Sequence, residues 1–207
     1  MIRDISNKMR RSRLETEETR KRILSTASRL FLERGLAAVG TREVMAGAGL
    51  TPGGFYRHFA SKEHLIAEAN KTAFDRLFAK LESETAGKPP VKAVERIVSL
   101  YLSQSRRAET PYLCPLAGLG SDLGHSDPHV REVAVDGYMR IVQLIADRLT
   151  PVSKAEARKI AGGIMNTMVG AVTLAGIAEE RGAARSILND ARSLIDYRLA
   201  GLKKKPG

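Results

Sequence analysis

Cysteine, tryptophan and long apolar runs are scarce or absent in this chain of 207 residues. It has one cysteine, Cys114, and no tryptophan, and aromatic residues make up 5% of it. A single cysteine excludes an intramolecular disulfide and a zinc site built from several cysteines. No apolar run approaches the roughly 20 residues that span a bilayer, and no apolar signal core follows the basic N-terminus. We therefore expect a cytoplasmic protein, with neither a cofactor nor a metal site.

The residues that are abundant favour helices. Hydrophobic residues make up 43% of the chain, which is enough to form a core. Alanine, leucine, arginine, glutamate and lysine dominate, and all of them favour helix over sheet. The apolar residues recur at helical spacing throughout, and we find no internal repeat. The sequence therefore predicts an all-α protein of about nine helices.

Positive charge is concentrated near the N-terminus. The formal net charge is +11, and residues 1–62 hold 13 lysines and arginines against 6 acidic residues. Residues 63–200 are almost neutral, with 18 basic against 17 acidic residues. A cationic lobe joined to a neutral body is typical of a protein that binds a polyanion through its N-terminal part. A purely solubilising surface charge would not explain this asymmetry.

Caps and breaks along the chain predict four segments. Residues 1–15 form a flexible basic arm, and the first helix begins near Thr16. Residues 16–62 form a small helical domain, with Gly35 ending the first helix. Residues 63–200 form a larger helical domain that begins with the helix capped by Ser61 and is broken at "GKPP", residues 87–90. This domain is expected to contain a short irregular piece at about 111–123. Residues 201–207 form a short basic tail.

A helix-turn-helix is predicted around Gly49. Two short helices joined by a turn of three or four residues containing glycine form this motif, and Gly49, Leu50 and Thr51 supply such a turn. The second helix then begins at Pro52 and carries Gly53 and Gly54, so its backbone N–H groups can approach a phosphate. Such an arrangement suits the major groove of DNA, with backbone contacts on both sides of a recognition helix.

The segment "TREVMAGAGLTPGGFYRHFASKEHL", residues 41–65, strongly resembles the DNA-binding segment of TetR-family transcriptional repressors. The resemblance extends over about residues 16–66 when the preceding helix is included. It implies a homodimer in which each subunit has a three-helix DNA-binding head and a helical body. The body is expected to dimerise and to bind a small effector, which releases the protein from a palindromic operator. The residues that the resemblance places at the DNA are Arg42, Thr51, Gly53, Gly54, Tyr56, His58 and Lys62.

Two sets of body residues are further predictions. Aromatic and methionine side chains at helical spacing are candidates for a pocket that takes a mostly apolar effector: Phe78, Tyr101, Leu116, Tyr138, Met165 and Met168. The small-residue run at 161–178 suits either tight packing within a subunit or a two-fold four-helix seam. The resemblance favours the dimer seam, for which the candidates are Ile164, Met168, Ala171, Leu174, Ala175, Leu194 and Tyr197.

Other functions and sites are weaker alternatives. A non-specific architectural DNA-binding protein would use the basic arm and tail more than the recognition helix. A helical enzyme using His58, Glu63 or His64 lacks a converging set of acid, base and nucleophile, so we expect no enzyme. Cys114 between prolines is expected to be a buried small hydrophobe rather than a reactive thiolate. Asp127, between His125 and His129, is expected to cap a helix rather than bind a metal.

Overall fold

The described residues of the computed structural model are 2–103, 114–150 and 152–203, with side chains described from residue 14 to residue 202 within those ranges. They contain eight α-helices, one 3-10 helix and no strand, which confirms the predicted all-α class. We call the 3-10 helix Pro52–Arg57 the recognition helix. The α-helices are α1 Ile2–Arg34, α2 Thr41–Gly47, α3 Lys62–Thr85, α4 Pro90–Leu102, α5 Pro115–Gly124, α6 Pro128–Ala146, α7 Lys154–Ile177 and α8 Arg181–Lys203.

Two of the predicted boundaries are wrong. Helix α1 begins at Ile2 rather than near Thr16, so the backbone of the expected arm, residues 1–15, is helical from Ile2 onward. Thr16, near which the first helix was expected to begin, lies inside this helix. The piece expected to be irregular, residues 111–123, contains the regular helix α5, while residues 104–113 lie outside the described part. Of the predicted tail, residues 204–207 also lie outside it.

Three helices begin with side-chain caps, and those at Ser61 and Asp127 confirm predictions from the sequence. The Ser61 hydroxyl accepts a hydrogen bond of 3.1 Å from the backbone N–H of His64, at the start of α3. The Asp127 carboxylate accepts one of 2.8 Å from His129 N–H, and the Ser153 hydroxyl one of 3.2 Å from Glu156 N–H. Such caps supply partners for amides that have none within the helix.

Helix α3 belongs to both parts of the fold. Its start packs against α1, which forms the head together with α2 and the recognition helix, and its remainder packs against α4 and α6 of the body. The approach of α3 to α6 is very close at Gly137, where an added Cβ would lie 2.4 Å from the ring of buried Phe74. Glycine at this position therefore lets the two helices pack with a phenylalanine ring between them.

Helix α7 lies between α6 and α8 and is the most apolar long helix in the described ranges. Contrary to the expectation from the sequence that no apolar run is long enough, this helix could cross a bilayer by length and composition alone. Its buried residues, among them Ile164, Met165 and Met168, instead pack in the core formed with α6 and α8. Core helices of soluble proteins share this apolar composition. Because α7 packs between α6 and α8, it forms the centre of the body.

Candidate nucleic-acid interface

The turn before the recognition helix is formed as the sequence predicts. Gly49 has a φ of +71°, in the left-handed region that residues with a Cβ rarely adopt. The N–H of Leu50 donates to the carbonyl of Met45 at 2.9 Å, which closes the end of α2. Gly47, the last residue of α2, approaches α1 so closely that a Cβ would lie 2.9 Å from the methyl group of Thr26. Glycine has a low helix propensity, but at position 47 it allows α2 to pack closely against α1.

The start of the recognition helix is open. Thr51, at its N-cap, and Gly53 are exposed, and Gly54 is half-buried. A Cβ added at Gly53 would meet nothing within 4 Å, whereas one at Gly54 would lie 3.4 Å from the Met45 side chain. The Thr51 side chain makes no capping bond, so its hydroxyl is not used to hold the helix. A phosphate or a base edge therefore has room to approach the backbone here.

Two buried rings fix the recognition helix to the head. Phe55 and Phe59 are 3% and 1% exposed, and their rings stack with centroids 5.7 Å apart. The Tyr56 ring packs edge-on against Phe55 at 5.1 Å, yet Tyr56 is 80% exposed. Since one face of the helix is anchored by its phenylalanines, the tyrosine hydroxyl is held outward at a defined position.

Two cations and a histidine that the sequence predicts at the DNA lie on the elements around this open surface. Arg42 on α2 is exposed, Lys62 at the first position of α3 is half-buried, and His58 is half-buried after the recognition helix. Exposed Arg57, the last residue of the recognition helix, was missed by the sequence analysis. Its position directly after Tyr56, on a short helix with an outward face, was the signal that could have identified it.

The start of α3 combines a cap with a charge. The N–H of Glu63 and the Ser61 hydroxyl hold the pKa of the Glu63 carboxyl below its ordinary value. This carboxylate supplies negative charge at the positive end of the helix, where it stabilises the dipole. Lys62 lies beside it, so a phosphate approaching this helix end meets one ammonium group and one carboxylate.

Two family models match this chain, and together they cover the head and most of the body. Residues 23–69 match the family of bacterial regulatory proteins named tetR, and residues 90–188 match the C-terminal domain of LmrA/YxaF-like transcriptional regulators. The chain belongs to the TetR family. Its head region, with the turn at Gly49 and the exposed Tyr56, is therefore the family's N-terminal domain.

Two curated relatives agree with this TetR-family assignment. The repressor KstR2 of Mycobacterium tuberculosis is 32% identical over 97 residues, 46% of each protein. The regulator YerO of Bacillus subtilis is 33% identical over 92 residues, 43% of this chain and 32% of YerO. The chain therefore matches about a third to a half of the length of these curated relatives.

Similarity to solved structures extends over most of the TetR-family chain. A TetR regulator from Chloroflexus aurantiacus has a TM-score of 0.73 and 26% identity, and the match covers 88% of this chain and 96% of that one. Reduced NemR from Escherichia coli has a TM-score of 0.74 and 21% identity, with coverage of 86% and 95%. The fold of the body is thus shared as well as that of the head.

The effector-pocket candidates of this TetR-family chain all belong to the core, but to different degrees. Tyr101, Met165 and Met168 are fully buried, whereas Phe78, Leu116 and Tyr138 are partly buried. The Tyr138 hydroxyl donates to the Asn166 side chain at 3.0 Å, and the Arg140 guanidinium lies 4.4 Å from the centroid of the Phe78 ring. These six side chains remain predicted pocket residues.

The dimer-seam candidates divide into two groups. Ile164, Met168 and Ala171 are 3%, 0% and 6% exposed within one subunit, so they face its own core and are not free to line a seam. This corrects the prediction for these three residues. Leu174, Leu194 and Tyr197 are 56%, 60% and 81% exposed, and Ala175 is half-buried. Ile177, which the sequence analysis missed, is 72% exposed on the same helix as Leu174.

Cys114 and Tyr101 form a buried polar pair in the body. Both are 0% exposed, which confirms the expectation that the cysteine is buried. Burial raises the pKa of both groups, and the interaction with Cys114 raises that of Tyr101 further. The thiol is therefore protonated at neutral pH and lacks the thiolate that redox chemistry requires.

One hydrogen bond joins the body to the end of α1. The Asp122 carboxylate of α5 accepts a bond of 2.7 Å from the N–H of Leu36. Gly35, between this amide and α1, has a φ of +86°, and a Cβ on it would lie 3.0 Å from the same carboxylate oxygen. At its other end α5 is bonded to α7, where the Thr173 hydroxyl donates to the carbonyl of Ala117 at 3.1 Å. Helix α5 thus bridges the head and the centre of the body.

Proposed function

We propose that this chain is a DNA-binding transcriptional regulator that acts as a repressor and is released from a palindromic operator by a small effector. One observation carries the proposal: Tyr56 is 80% exposed beside the open start of the recognition helix, while Phe55 and Phe59 anchor that helix from behind. A short helix with one anchored face and one bare face is the geometry that enters a major groove.

The proposed interface consists of phosphate contacts around a small base-reading surface. Tyr56 and Lys62 contact phosphates on the two sides of the groove, and Gly53 and Gly54 let the backbone approach. Arg42, Thr51 and His58 lie around the same helix and provide polar groups for base edges or for the backbone. Because the two glycines carry no side chains, sequence-dependent DNA shape contributes more to specificity than it would with longer side chains there.

The proposed homodimer uses the exposed apolar face of the last two helices. Leu174, Ile177, Leu194 and Tyr197 are large apolar side chains, each more than half exposed in the isolated subunit. An exposed patch of this kind marks an interaction surface, and two α-helices from each subunit can form a two-fold four-helix seam. Dimerisation would place two recognition helices on one operator, whose symmetry then matches that of the protein.

The proposed effector is small and mostly apolar and binds within the body among the six predicted pocket residues. No charged pair in this set offers an ionic anchor, while the buried Tyr101 hydroxyl and the half-buried Tyr138 hydroxyl offer polar contacts. KstR2 is named as a repressor, which supports repression rather than activation here. The protein is proposed to work in the cytoplasm, by binding rather than by catalysis.

Selection of bound sequences from random DNA by the full-length protein tests the proposal. We expect a short palindrome, and binding to it that is at least about 1,000-fold tighter than to random DNA at moderate salt. The double variant Tyr56→Ala, Lys62→Ala should bind the palindrome about 100-fold more weakly while its unfolding midpoint stays unchanged. Lys159→Ala, which removes an exposed lysine of α7, is the matched control and should bind like the wild type.

The same measurement separates the regulator from the architectural alternative. An affinity ratio near one between the palindrome and random DNA would identify a protein that coats DNA without reading it. Unchanged affinity in the double variant would show that the exposed surface of the recognition helix does not contact DNA, and the proposed interface would then be wrong.

A further inference from the structure

An arginine from α1 holds the end of the recognition helix. The Arg20 guanidinium donates a hydrogen bond to the backbone carbonyl of His58, the residue that follows the last turn of that helix. The same guanidinium lies 4.4 Å from the centroid of the Phe59 ring, in a cation–π arrangement. Carbonyls at a helix end have no partner within the helix, so Arg20 supplies one from another element.

The second branch of the guanidinium extends to α3. Arg20 donates to the Glu68 carboxylate, and the same carboxylate oxygen lies 2.7 Å from Nε2 of His64. Nδ1 of His64 accepts a hydrogen bond of 3.3 Å from the N–H of Ala60. The imidazole ring therefore lies between the N–H of Ala60 and the Glu68 carboxylate. We call Arg20, Glu68 and His64 the clamp, since they join α1, the end of the recognition helix and α3.

The clamp is sheltered, and its geometry requires arginine. The side chains of Arg20 and Glu68 are 31% and 28% exposed, so solvent screens their pairing less than that of the exposed pairs on the surface. A planar guanidinium can donate in two fixed directions while its face covers a ring, whereas a lysine ammonium is a point charge on a flexible stem. Charge alone therefore does not reproduce the contacts of Arg20.

We propose that Arg20 is a positioning residue for DNA recognition. It orients the recognition helix through the His58 carbonyl and the Phe59 ring, and Glu68 fixes the orientation of the Arg20 side chain. Arg20 does not contact the DNA. Since Tyr56 and the open turn at Gly53 belong to the helix that the clamp holds, a shift at its end moves the surface that faces the bases. This inference rests on the proposed function, because it assigns a role in the same interface.

The alternative is that Arg20 is one more phosphate contact, and salt dependence distinguishes the two. Loss of one phosphate contact reduces the slope of log affinity against log salt by about 0.9 and weakens binding to all sequences alike. Loss of a positioning contact leaves the slope unchanged and lowers the affinity ratio between the selected palindrome and random DNA. The two roles therefore predict opposite patterns.

Four full-length variants make the test, of which Arg20→Ala should leave the salt slope unchanged. Arg20→Lys, which keeps the charge, should lower the affinity ratio about 10-fold with an unchanged slope, as expected for the loss of a charge-assisted hydrogen bond. Glu68→Gln should lower binding to the palindrome while binding to random DNA stays equal or rises, since a negative charge is removed from the head. Arg22→Ala, which removes an exposed arginine of α1, is the control for charge and should leave the ratio unchanged.

Three results would overturn the inference. The first is a slope reduced by about 0.9 in Arg20→Ala with parallel losses on both DNAs, because it would identify a phosphate contact. The second is an unchanged ratio in Arg20→Lys. The third is a parallel loss in Arg20→Lys that tracks a lowered unfolding midpoint, because it would identify a purely structural residue.

Hydrogen exchange of the DNA-free protein tests the clamp without reference to any operator. Arg20→Lys should raise exchange of the amides from His58 to Ser61 several-fold relative to those of α7, because the end of the recognition helix loses its link to α1 and α3. Unchanged exchange would show that the clamp does not hold the helix. If the wild type itself shows no sequence preference, the proposed function fails, while this measurement still decides whether the clamp exists.

Discussion

The head and the body of this protein use their apolar side chains in opposite ways. In the head, the large apolar side chains Phe55 and Phe59 are buried, and the surface around the recognition helix offers small residues, cations and the exposed ring of Tyr56. In the body, the last two helices leave Leu174, Ile177, Leu194 and Tyr197 exposed. The head is thus suited to a polar, charged partner, and the body to an apolar one.

The head and the body also differ in the substitutions that they tolerate. At the head surface, Gly53 has open space around it, so a substitution there changes the interface without disturbing the packing. In the body, Gly137 touches the buried ring of Phe74, so a single methyl group changes the packing of two long helices. Function in the head therefore depends on surface detail, whereas function in the body depends on how helices fit together.

The largest expected effect is on the stability of the body. Gly137→Ala should lower the free energy of unfolding by about 1–3 kcal/mol, because the new methyl group overlaps the Phe74 ring and the surrounding core is closely packed. Urea denaturation measures this change. Gly163→Ala on α7, whose Cβ meets nothing within 4 Å, is the control and should gain up to about 1 kcal/mol from helix propensity. Equal stability of the two variants would show that α3 and α6 are less tightly packed at this point.

The next effect is on assembly. Leu194→Glu should raise the dissociation constant of the dimer by about 10- to 100-fold, because the two-fold axis buries the substituted side chain twice and each leucine, already partly covered within its subunit, contributes about 1 kcal/mol when buried. Sedimentation velocity across a range of concentrations measures it. Leu14→Glu makes the same change at a comparably exposed leucine of α1 and should leave the dimer intact. A dimer that survives Leu194→Glu would place the seam elsewhere.

The same contrast explains what the sequence could predict. The head was predictable because its features are local: the glycine turn at Gly49, the cap at Ser61 and Tyr56 on the recognition helix lie within fourteen residues of each other. Each depends on backbone conformation or on the spacing of one short helix. The clamp was not predictable, because Arg20 meets His58 and Glu68 only after α1 and α3 are packed together.

The body was less predictable because its sites depend on which face of a helix turns inward. The small-residue run in α7 is compatible with tight packing inside a subunit and with a seam between subunits. Its periodicity alone does not distinguish between these two arrangements. Three candidates on α7, Ile164, Met168 and Ala171, face the core, while Leu174 and Ile177 near its C-terminal end are exposed. The start of α1 was missed for a different reason, because charged residues were taken as the sign of an arm although they are also good helix formers.

A smaller effect is expected from a substitution on the surface of the head. Gly53→Ala should weaken operator binding about 5- to 10-fold, because the added methyl group keeps the backbone N–H groups at the start of the recognition helix away from a phosphate. Its unfolding midpoint should not fall, since a Cβ at Gly53 meets no other atom. Titration of a labelled operator measures the binding. Unchanged affinity would mean that the DNA does not approach this part of the helix.

The smallest expected effect is on the acid stability of the body, where α3 and α4 are joined by Glu84. Hydrogen bonds from Lys80 and from Arg96 lower the pKa of Glu84 from 4.5 to about 2. A carboxyl group whose pKa is lower in the folded protein stabilises the fold at pH values above its unfolded pKa and loses this contribution as the pH falls toward the folded pKa. The loss therefore occurs between about pH 4.5 and pH 2.

Glu84→Gln tests this linkage through urea denaturation at pH 7 and pH 2.5. The variant should be slightly less stable than the wild type at pH 7, and the difference should shrink at pH 2.5, because the wild-type carboxylate has begun to take up a proton there. Glu82→Gln, an exposed glutamate on the same helix, is the control for removal of one negative charge. A difference between wild type and Glu84→Gln that stays constant with pH would mean that the link between α3 and α4 does not depend on the charge of Glu84.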